Sequence, residues 1–394
     1  MDEAAGSVLP AARARHVIVT ALGFTQILGY GTSFYLLAVL AAPIQADTGW
    51  SLPEISAGLS IGLFAAGLSA PLVGRFVDRY GGRPVLSFGS LGFALGLAGV
   101  GVSTNLVAYT LAWCVLGLGM AAGLYDAVFS ALGRWYGQQA RPLITTVTLW
   151  GGFASTLCWP LSAYLVSVVG WRGTCLVFAA VHLLISLPIH FWLMPSNGSP
   201  AAAARENDSA VEIRGRHVPF VLIAVSLVLV SIVVTLIAVH LIPVLQSYGY
   251  SAAAAVAVGT LIGPSQVAGR FAELAFGRRV HPVWSTILAG LMMATGVALV
   301  TFRLDLAGVA IVVYAMGAGV SYIVRGTLPL VMFGSDGYAS LMGRLVMPSL
   351  IAQALAPWVA ALAMSQWGSG VFFPLLLILT LANVAVVAAL LRWR

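Results

Sequence analysis

Long apolar stretches alternate along this chain with short polar turns, and the stretches share one length class. A helix needs roughly 20 predominantly apolar residues to cross a ~30 Å hydrocarbon core. Twelve stretches meet that requirement. They are 17–42, 54–74, 84–103, 105–133, 142–168 and 172–194 in the first half, then 217–246, 251–274, 283–302, 306–330, 344–366 and 368–391 in the second. Residues 195–216 separate the halves, running from Pro195 to Pro200 through Asn197 and then through an Ala-rich segment with Arg205, Glu206, Asp208, Glu212, Arg214 and Arg216. No other polar run is as long, so it is expected to link a six-helix bundle at 1–194 to a second at 217–394. The predicted fold class is an all-α membrane protein of twelve transmembrane helices.

Composition agrees with the pattern. Apolar residues make up 60% of the chain and charged residues 8%, where a soluble domain carries roughly 25% charged residues. The net charge of +7 does not indicate nucleic acid. All 19 basic residues are Arg, scattered in pairs and triplets between apolar runs rather than gathered in one stripe. That is the distribution of topology signals. One set of connections holds Arg75, Arg79 and Arg83, then Arg134 and Arg141, then the linker, then Arg278 and Arg279, and the termini add Arg13, Arg15, Arg392 and Arg394. The opposite set holds Arg172 and Arg303. Because positive loops stay inside, both termini and the linker are expected to be cytoplasmic, which requires an even number of spans. Residues 1–16 lack a signal-peptide pattern, so the first apolar run is expected to remain as a helix. A bacterial inner (plasma) membrane is the expected location.

One loop is unusually charged: Gly74-Arg75-Phe76-Val77-Asp78-Arg79-Tyr80-Gly81-Gly82-Arg83-Pro84. A fainter copy lies 195 residues on, with Gly269-Arg270-Phe271-Ala272-Glu273 falling on Gly74 to Asp78. An internal duplication explains the echo and makes the two bundles pseudo-symmetric. Transporters with repeated halves bind substrate near the midplane and rock the halves to give alternating access.

The loop Gly74-x-x-x-Asp78-Arg79-x-Gly81-x-Arg83, set after the second of twelve spans, resembles the signature of the major facilitator superfamily. Gly49-Trp50-Ser51 with Ile55-Ser56, Arg134-Trp135-Tyr136 leading through Arg141, Gly151-Gly152 with Ser155-Thr156, and Gly170-Trp171-Arg172 are similar to the bacterial monocarboxylate-porter-like branch. The resemblance implies a secondary transporter of a small organic anion, moved with protons. It departs from the superfamily where Trp113 occupies the arginine position of the fourth-helix motif before Gly117 and Gly119. The branch's first-helix pattern and its paired acid and arginine in helix 8 are not found. In this reading Gly74, Asp78, Arg79, Gly81 and Arg83, with Arg270 and Glu273 in the echo, form a conformational latch at the cytoplasmic end. Asp78 would sit at a helix N-terminus of its own half or pair with a nearby arginine.

Ionisable residues inside apolar spans are costly and mark candidate sites. Asp126 lies in the fourth stretch and Arg325 in the tenth, at matching depth when Gly117-x-Gly119 is set on Gly317-x-Gly319. Two roles fit them. Either Arg325 grips a substrate oxyanion while Asp126 exchanges a proton, or the pair is a gate that substrate never touches. His240, late in the seventh stretch, is a candidate proton relay. Tyr30 and Phe34 share a helix face, and with Tyr322, Trp150 and Gln353 they are candidate substrate-binding residues. His182 and His190 are expected to face the outer layer and the cytoplasmic edge.

No HExxH, P-loop, nucleophile elbow or zinc spacing is present, so no enzyme activity and no cofactor is expected. Without an ATP site the energy comes from a gradient, with protons as the default coupling ion. A proton-coupled organic-anion transporter, functional as a monomer with lipid and small-molecule partners, leads. The alternative is an efflux pump for amphipathic drugs or for trivalent arsenic or antimony, the latter needing Cys114, Cys158 and Cys175 to converge. A non-transporting receptor on the same fold is the third possibility.

Overall fold

The computed structural model describes residues 12–196, 217–277 and 280–393. The sequence-predicted linker from 197 onward, and Arg278 and Arg279, lie outside the described residues. The first bundle contains α1 (Ala12–Gly31, resuming as Leu37–Thr48), α2 (Leu52–Tyr80), α3 (Gly82–Val102), α4 (Leu106–Gly123, resuming as Tyr125–Tyr136), α5 (140–169) and α6 (171–193). The second contains α7 (His217–Ser247), α8 (Ala252–Thr260, resuming as Ile262–Phe276), α9 (Pro282–Phe302), α10 (Ala307–Phe333), α11 (Tyr338–Trp367) and α12 (Phe372–Ala389). Among the described residues nine helical stretches are long and apolar enough to cross a membrane. One of them, Leu106–Leu193, folds back on itself and holds α4, α5 and α6, and α1 completes the twelve. Leu184, Trp192, Phe276 and Trp358 are largely exposed on the outer surface. Hydrocarbon chains, not water, account for so much apolar surface.

Local chemistry sets the helix ends. Ser51 and Glu54 form a reciprocal capping box at the start of α2, with Glu54 Oε2 accepting from the Ser51 amide at 2.8 Å. Gly81 takes φ +89° between α2 and α3, a conformation open to glycine and costly for residues with a Cβ. Within the bundles, small residues permit close backbone approach. Gly89, Gly92 and Gly96 of α3 lie on Ala122, Gly119 and Leu116 of α4, where an added Cβ would meet backbone atoms. Lipid supplies no hydrophobic drive between helices, so such packing is what holds them.

The same contacts correct the internal echo. Gly117 of α4 lies against the backbone of Gly62 in α2, and Gly319 of α10 lies the same way against Gln266 in α8. Gln266 is therefore the counterpart of Gly62. Arg270, four residues on, matches Ala66 and not Arg75. Both Arg270 and Ala66 line the central cavity, whereas Arg75 is exposed at the helix end. The 195-residue register matched letters rather than depth, so Arg270 is not part of a loop-end latch.

The bundles are sealed at the end carrying the 74–84 loop. Tyr338 lies on Gly133, Phe129 on Gly326, and Gly343 on the backbone of Ala70. Gln138 donates to the Leu330 carbonyl at 3.0 Å, and Arg141 donates to the carbonyls of Gly277 and Val280 at 2.7 Å each. Gly74 touches the Ala339 backbone, and Asp78 Oδ2 accepts from the Ser340 amide at 2.7 Å. Ser340 is in the first turn of α11, whose N-cap residue Gly337 has no side chain to offer. Asp78 thus caps a helix of the opposite bundle, not of its own half as the sequence suggested. Its own carbonyl accepts from Arg134. Arg79 lies over Tyr80 and Arg83 over Phe191, both contacts within the first bundle. Glu273 accepts from Ser285 Oγ at 2.8 Å and borders a small cleft with Arg141. Toward the opposite end, α7 and the first segment of α8 form no extended packing with the first bundle.

Candidate functional site: a cavity between the bundles

Three helices break beside one cavity. α1 unwinds over 32–36, α4 at Leu124 and α5 at 152–153. Non-helical backbone is tolerated at membrane depth only where it is buried in protein or lines a cavity. Two of these breaks are held by polar side chains. Gln26 of α1, fully buried, donates from Nε2 to the Gly123 carbonyl at 2.7 Å. Thr32 Oγ1, at the α1 break, lies 2.8 Å from His182 Nε2 and donates to the Leu28 carbonyl. The hydroxyl's one proton is used on Leu28, so His182 donates to Thr32 from Nε2.

His182 and His190 are both buried, the first stacked on Phe93 and the second bonded to Ser90 and Thr25. They face the interior of the first bundle, not the outer layer. α6 carries two π-helical segments here, His182–Ser186 and Ile189–Leu193, so a regular helical period does not give the facing of these imidazoles.

Around the breaks lies a cavity partly open to one side. Its wall takes residues from both bundles: Tyr30, Phe34 and Tyr35 of α1, Tyr125 and Asp126 of α4, Gly151 of α5, Arg270 of α8, Tyr322 and Arg325 of α10, and Gln353 of α11. Leu63, Ala66 and Met120 supply part of the apolar surface. Six of the sequence-derived candidates therefore meet here: Tyr30, Phe34, Asp126, Tyr322, Arg325 and Gln353. Trp150 and His240 do not. Trp150 lies over Gly23 on the α1–α5 seam with its other face exposed, because Gly23 leaves a slot for the indole on the far side of the helix from the cavity. His240 lies 3.2 Å from the Pro357 carbonyl, edge-on to Phe372, inside the second bundle.

Asp126 and Arg325 form a two-pronged ion pair between the bundles, Nε to Oδ1 at 2.7 Å and Nη2 to Oδ2 at 2.8 Å. The side chains are 22% and 12% exposed, so the pair is screened from bulk water on most sides. Asp126 occupies the first turn of Tyr125–Tyr136, where the helix dipole favours a negative charge. Arg325 also reaches Ser349 Oγ at 3.4 Å.

Arg270 is the residue the sequence misplaced. Only 3% exposed, it crosses to the first bundle and donates from Nη1 to the Thr148 carbonyl at 2.7 Å. Tyr125 Oη donates to the same carbonyl at 3.2 Å, and the guanidinium stands over the Tyr322 ring at 4.9 Å. No carboxylate pairs with it among the described residues. Its presence in an apolar stretch was itself the signal of a site. The apparent repeat with Gly74–Asp78 outweighed it. With one carboxylate against two guanidiniums, the cavity carries a net positive charge, which suits an anion.

The three cysteines do not converge. Cys158 lies against Gly31 of α1, Cys175 against Gly101 of α3, and Cys114 is partly exposed on α4. Among the described residues no group of three His, Cys, Asp or Glu side chains could hold a metal ion.

Twelve spanning helices in two bundles, sealed at one end around a charged cavity, form the fold of a membrane transporter. The chain belongs to the Major Facilitator Superfamily, whose sequence profile matches residues 22–337. It is 26% identical over 301 residues to monocarboxylate transporter 13 of Rattus norvegicus, covering 76% of this chain and 68% of that one. It is 24% identical over 195 residues to the gallate transporter of Pseudomonas putida, covering 49% of this chain and 43% of that one. Its fold matches the proton:xylose symporter XylE bound to 6-bromo-6-deoxy-D-glucose with a TM-score of 0.78 at 12% identity, over 98% of this chain and 96% of that one.

Proposed function

We propose that the protein carries a small organic anion of the carboxylate class through a bacterial inner membrane by alternating access, as a monomer with both termini cytoplasmic. The observation that carries this reading is Arg270: a buried guanidinium at the cavity wall that donates to the Thr148 and Gly319 carbonyls and has no carboxylate partner among the described residues. Its planar fork matches a carboxylate in a two-pronged contact. The similarity to carriers named for monocarboxylates and gallate points the same way. A cationic amphipathic drug would meet the net positive charge, and the separated cysteines offer no metalloid site.

Proton coupling is assigned to the Asp126–Arg325 pair. The pair bridges the bundles in the state sealed at the loop end. A proton carried on Asp126 would cancel the attraction that holds the bundles together there. Arg270 reports substrate to the same seam, because its bond to Thr148 also crosses between bundles. Substrate exchange in proteoliposomes checks the anion reading without presuming coupling or direction. Counterflow of pyruvate and benzoate is expected, with none of xylose or tetraphenylphosphonium. Exchange of the sugar or the cation in place of the acids would reject it.

Gly74 and Asp78 are assigned the latch, with Glu273 and Arg141 as its weaker counterpart. A capping side chain contributes about 0.5–2 kcal/mol. Asp78→Ala is therefore expected to lower the ratio of loop-end-closed to loop-end-open states roughly 2- to 30-fold. Pulsed EPR distances between labels on the loop ends of α2 and α11 report that ratio. An unchanged distribution would remove Asp78 from the latch, and a changed substrate preference would show it acting elsewhere.

A further inference from the structure

We infer that the substrate is an aromatic carboxylate bearing a ring hydroxyl, its ring held among Tyr30, Phe34, Tyr35 and Tyr322 while Arg270 takes the carboxylate. This rests on the organic-anion reading of the cavity and narrows it.

The wall is more than apolar. Its rings form one connected cluster that runs from the first bundle to the second. Tyr30 lies 4.6 Å from Tyr125 and 6.4 Å from both Phe34 and Tyr35, Phe34 meets Tyr35 edge-on at 5.3 Å, and Tyr125 lies 6.3 Å from Tyr322. These are tilted and edge-to-face arrangements at the separations where aromatic pairs attract beyond simple burial. A further ring inserted beside them continues the cluster. The Arg270 guanidinium stands over the end member, Tyr322, at 4.9 Å. One planar molecule can thus touch both the rings and the charge.

The phenol groups narrow the chemistry. Tyr125 spends its hydroxyl on the Thr148 carbonyl. The hydroxyls of Tyr30, Tyr35 and Tyr322 have no hydrogen-bond partner among the described residues, and all three side chains line the cavity. Gln353 adds an amide to the same wall. A three-carbon acid would satisfy Arg270 but leave the ring cluster and three hydroxyls to water. A sugar would use the hydroxyls and leave Arg270 without a countercharge. A hydroxylated benzene ring with a carboxylate meets all three demands.

The test uses the purified full chain, with ligand-induced thermal stabilisation in detergent and counterflow in proteoliposomes as parallel readouts. The panel is pyruvate, cyclohexanecarboxylate, benzoate and 4-hydroxybenzoate at one pH. Benzoate is expected to bind roughly 2- to 10-fold more tightly than cyclohexanecarboxylate of similar size, the scale of one added aromatic contact. 4-Hydroxybenzoate is expected to exceed benzoate and to exceed pyruvate by roughly tenfold or more, from the added hydrogen bond. Pyruvate matching or exceeding the aromatic acids would overturn this inference and leave the organic-anion reading standing. A panel with no response to any acid would overturn both. Tyr30→Phe, Tyr35→Phe and Tyr322→Phe are read as the ratio of 4-hydroxybenzoate to benzoate affinity, a quantity that a partial folding defect does not move. A fall in at least one variant supports the hydroxyl contact, and an unchanged ratio in all three removes it.

Discussion

Arg270→Leu is expected to abolish carboxylate binding and counterflow, with apparent affinity falling roughly 30- to 5,000-fold. The estimate follows from the site. Truncating one partner of a buried, hydrogen-bonded charge pair costs about 2–5 kcal/mol, much of it from leaving the other charge unpaired. Here the charge left behind would be the substrate carboxylate, taken from water into a cavity whose remaining cation is already held by Asp126. Arg270→Lys separates charge from geometry. An ammonium keeps the positive charge but cannot hold the Thr148 carbonyl, lie over Tyr322 and fork onto a carboxylate together. A loss of roughly tenfold or more is therefore expected even with the charge kept. Arg270 also ties the bundles together, so each variant is first checked for a monodisperse species and for an unchanged distance distribution at the loop end. Arg270→Leu binding the same acid with wild-type affinity would end its role as the anion site and return that role to Arg325.

The second large effect concerns Asp126 and Arg325 as a unit. Removing one member of a buried pair typically destabilises by about 3–5 kcal/mol, whereas replacing both with neutral groups is often close to neutral. Arg325→Gln alone is expected to lose most transport, since it leaves a carboxylate between the bundles without its cation. Asp126→Asn mimics the protonated acid and is expected to keep substrate exchange while losing accumulation driven by a pH gradient. Asp126→Asn/Arg325→Gln should then exchange substrate better than Arg325→Gln alone. The cycle also decides between the two roles read from the sequence. If the pair is a gate only, the double variant retains wild-type apparent affinity and loses its pH dependence. If Arg325 binds substrate as well, the double variant stays as weak as Arg325→Gln. Pumping that survives in Asp126→Asn with the wild-type pH profile would remove Asp126 from proton coupling.

Asp126 and Arg325 were legible in the sequence because charge is so rare in it. An acid or a guanidinium within an apolar span needs a partner or a function, and these two proved to be each other's partner. Tyr30, Phe34 and Gln353 were found by a weaker argument, since they are polar or aromatic residues in spans that also have to pack. The same argument failed for Trp150 and His240, because composition does not say which way a side chain faces. In lipid the outer surface of a span is as apolar as its packed face, so the amphipathic contrast that orients a helix in water is largely missing. His182 and His190 show the other side of this ambiguity. They are interior groups whose partners Thr32, Thr25 and Ser90 lie on helices remote in sequence.

What the sequence determined by itself is the scale and the class. Twelve spans follow from the bilayer's thickness, and the resemblance to the superfamily rests on a loop whose glycines and charges are specific enough to be matched alone. The charged 74–84 segment does lie at one end of α2, but all of it except Gly81 is helical and not a loop. Its partner, however, was decided by tertiary structure. Asp78 caps α11 across the interface because Gly337 leaves the first turn of that helix uncapped. Such a vacancy becomes visible only when the two helices are side by side. Arg270 was decided in the same way. Its letters aligned with a loop, but depth in a membrane depends on where each helix begins and how its glycines lie on their neighbours. Gly319 on Gln266, like Gly117 on Gly62, puts that guanidinium at the cavity, where it has no carboxylate partner among the described residues.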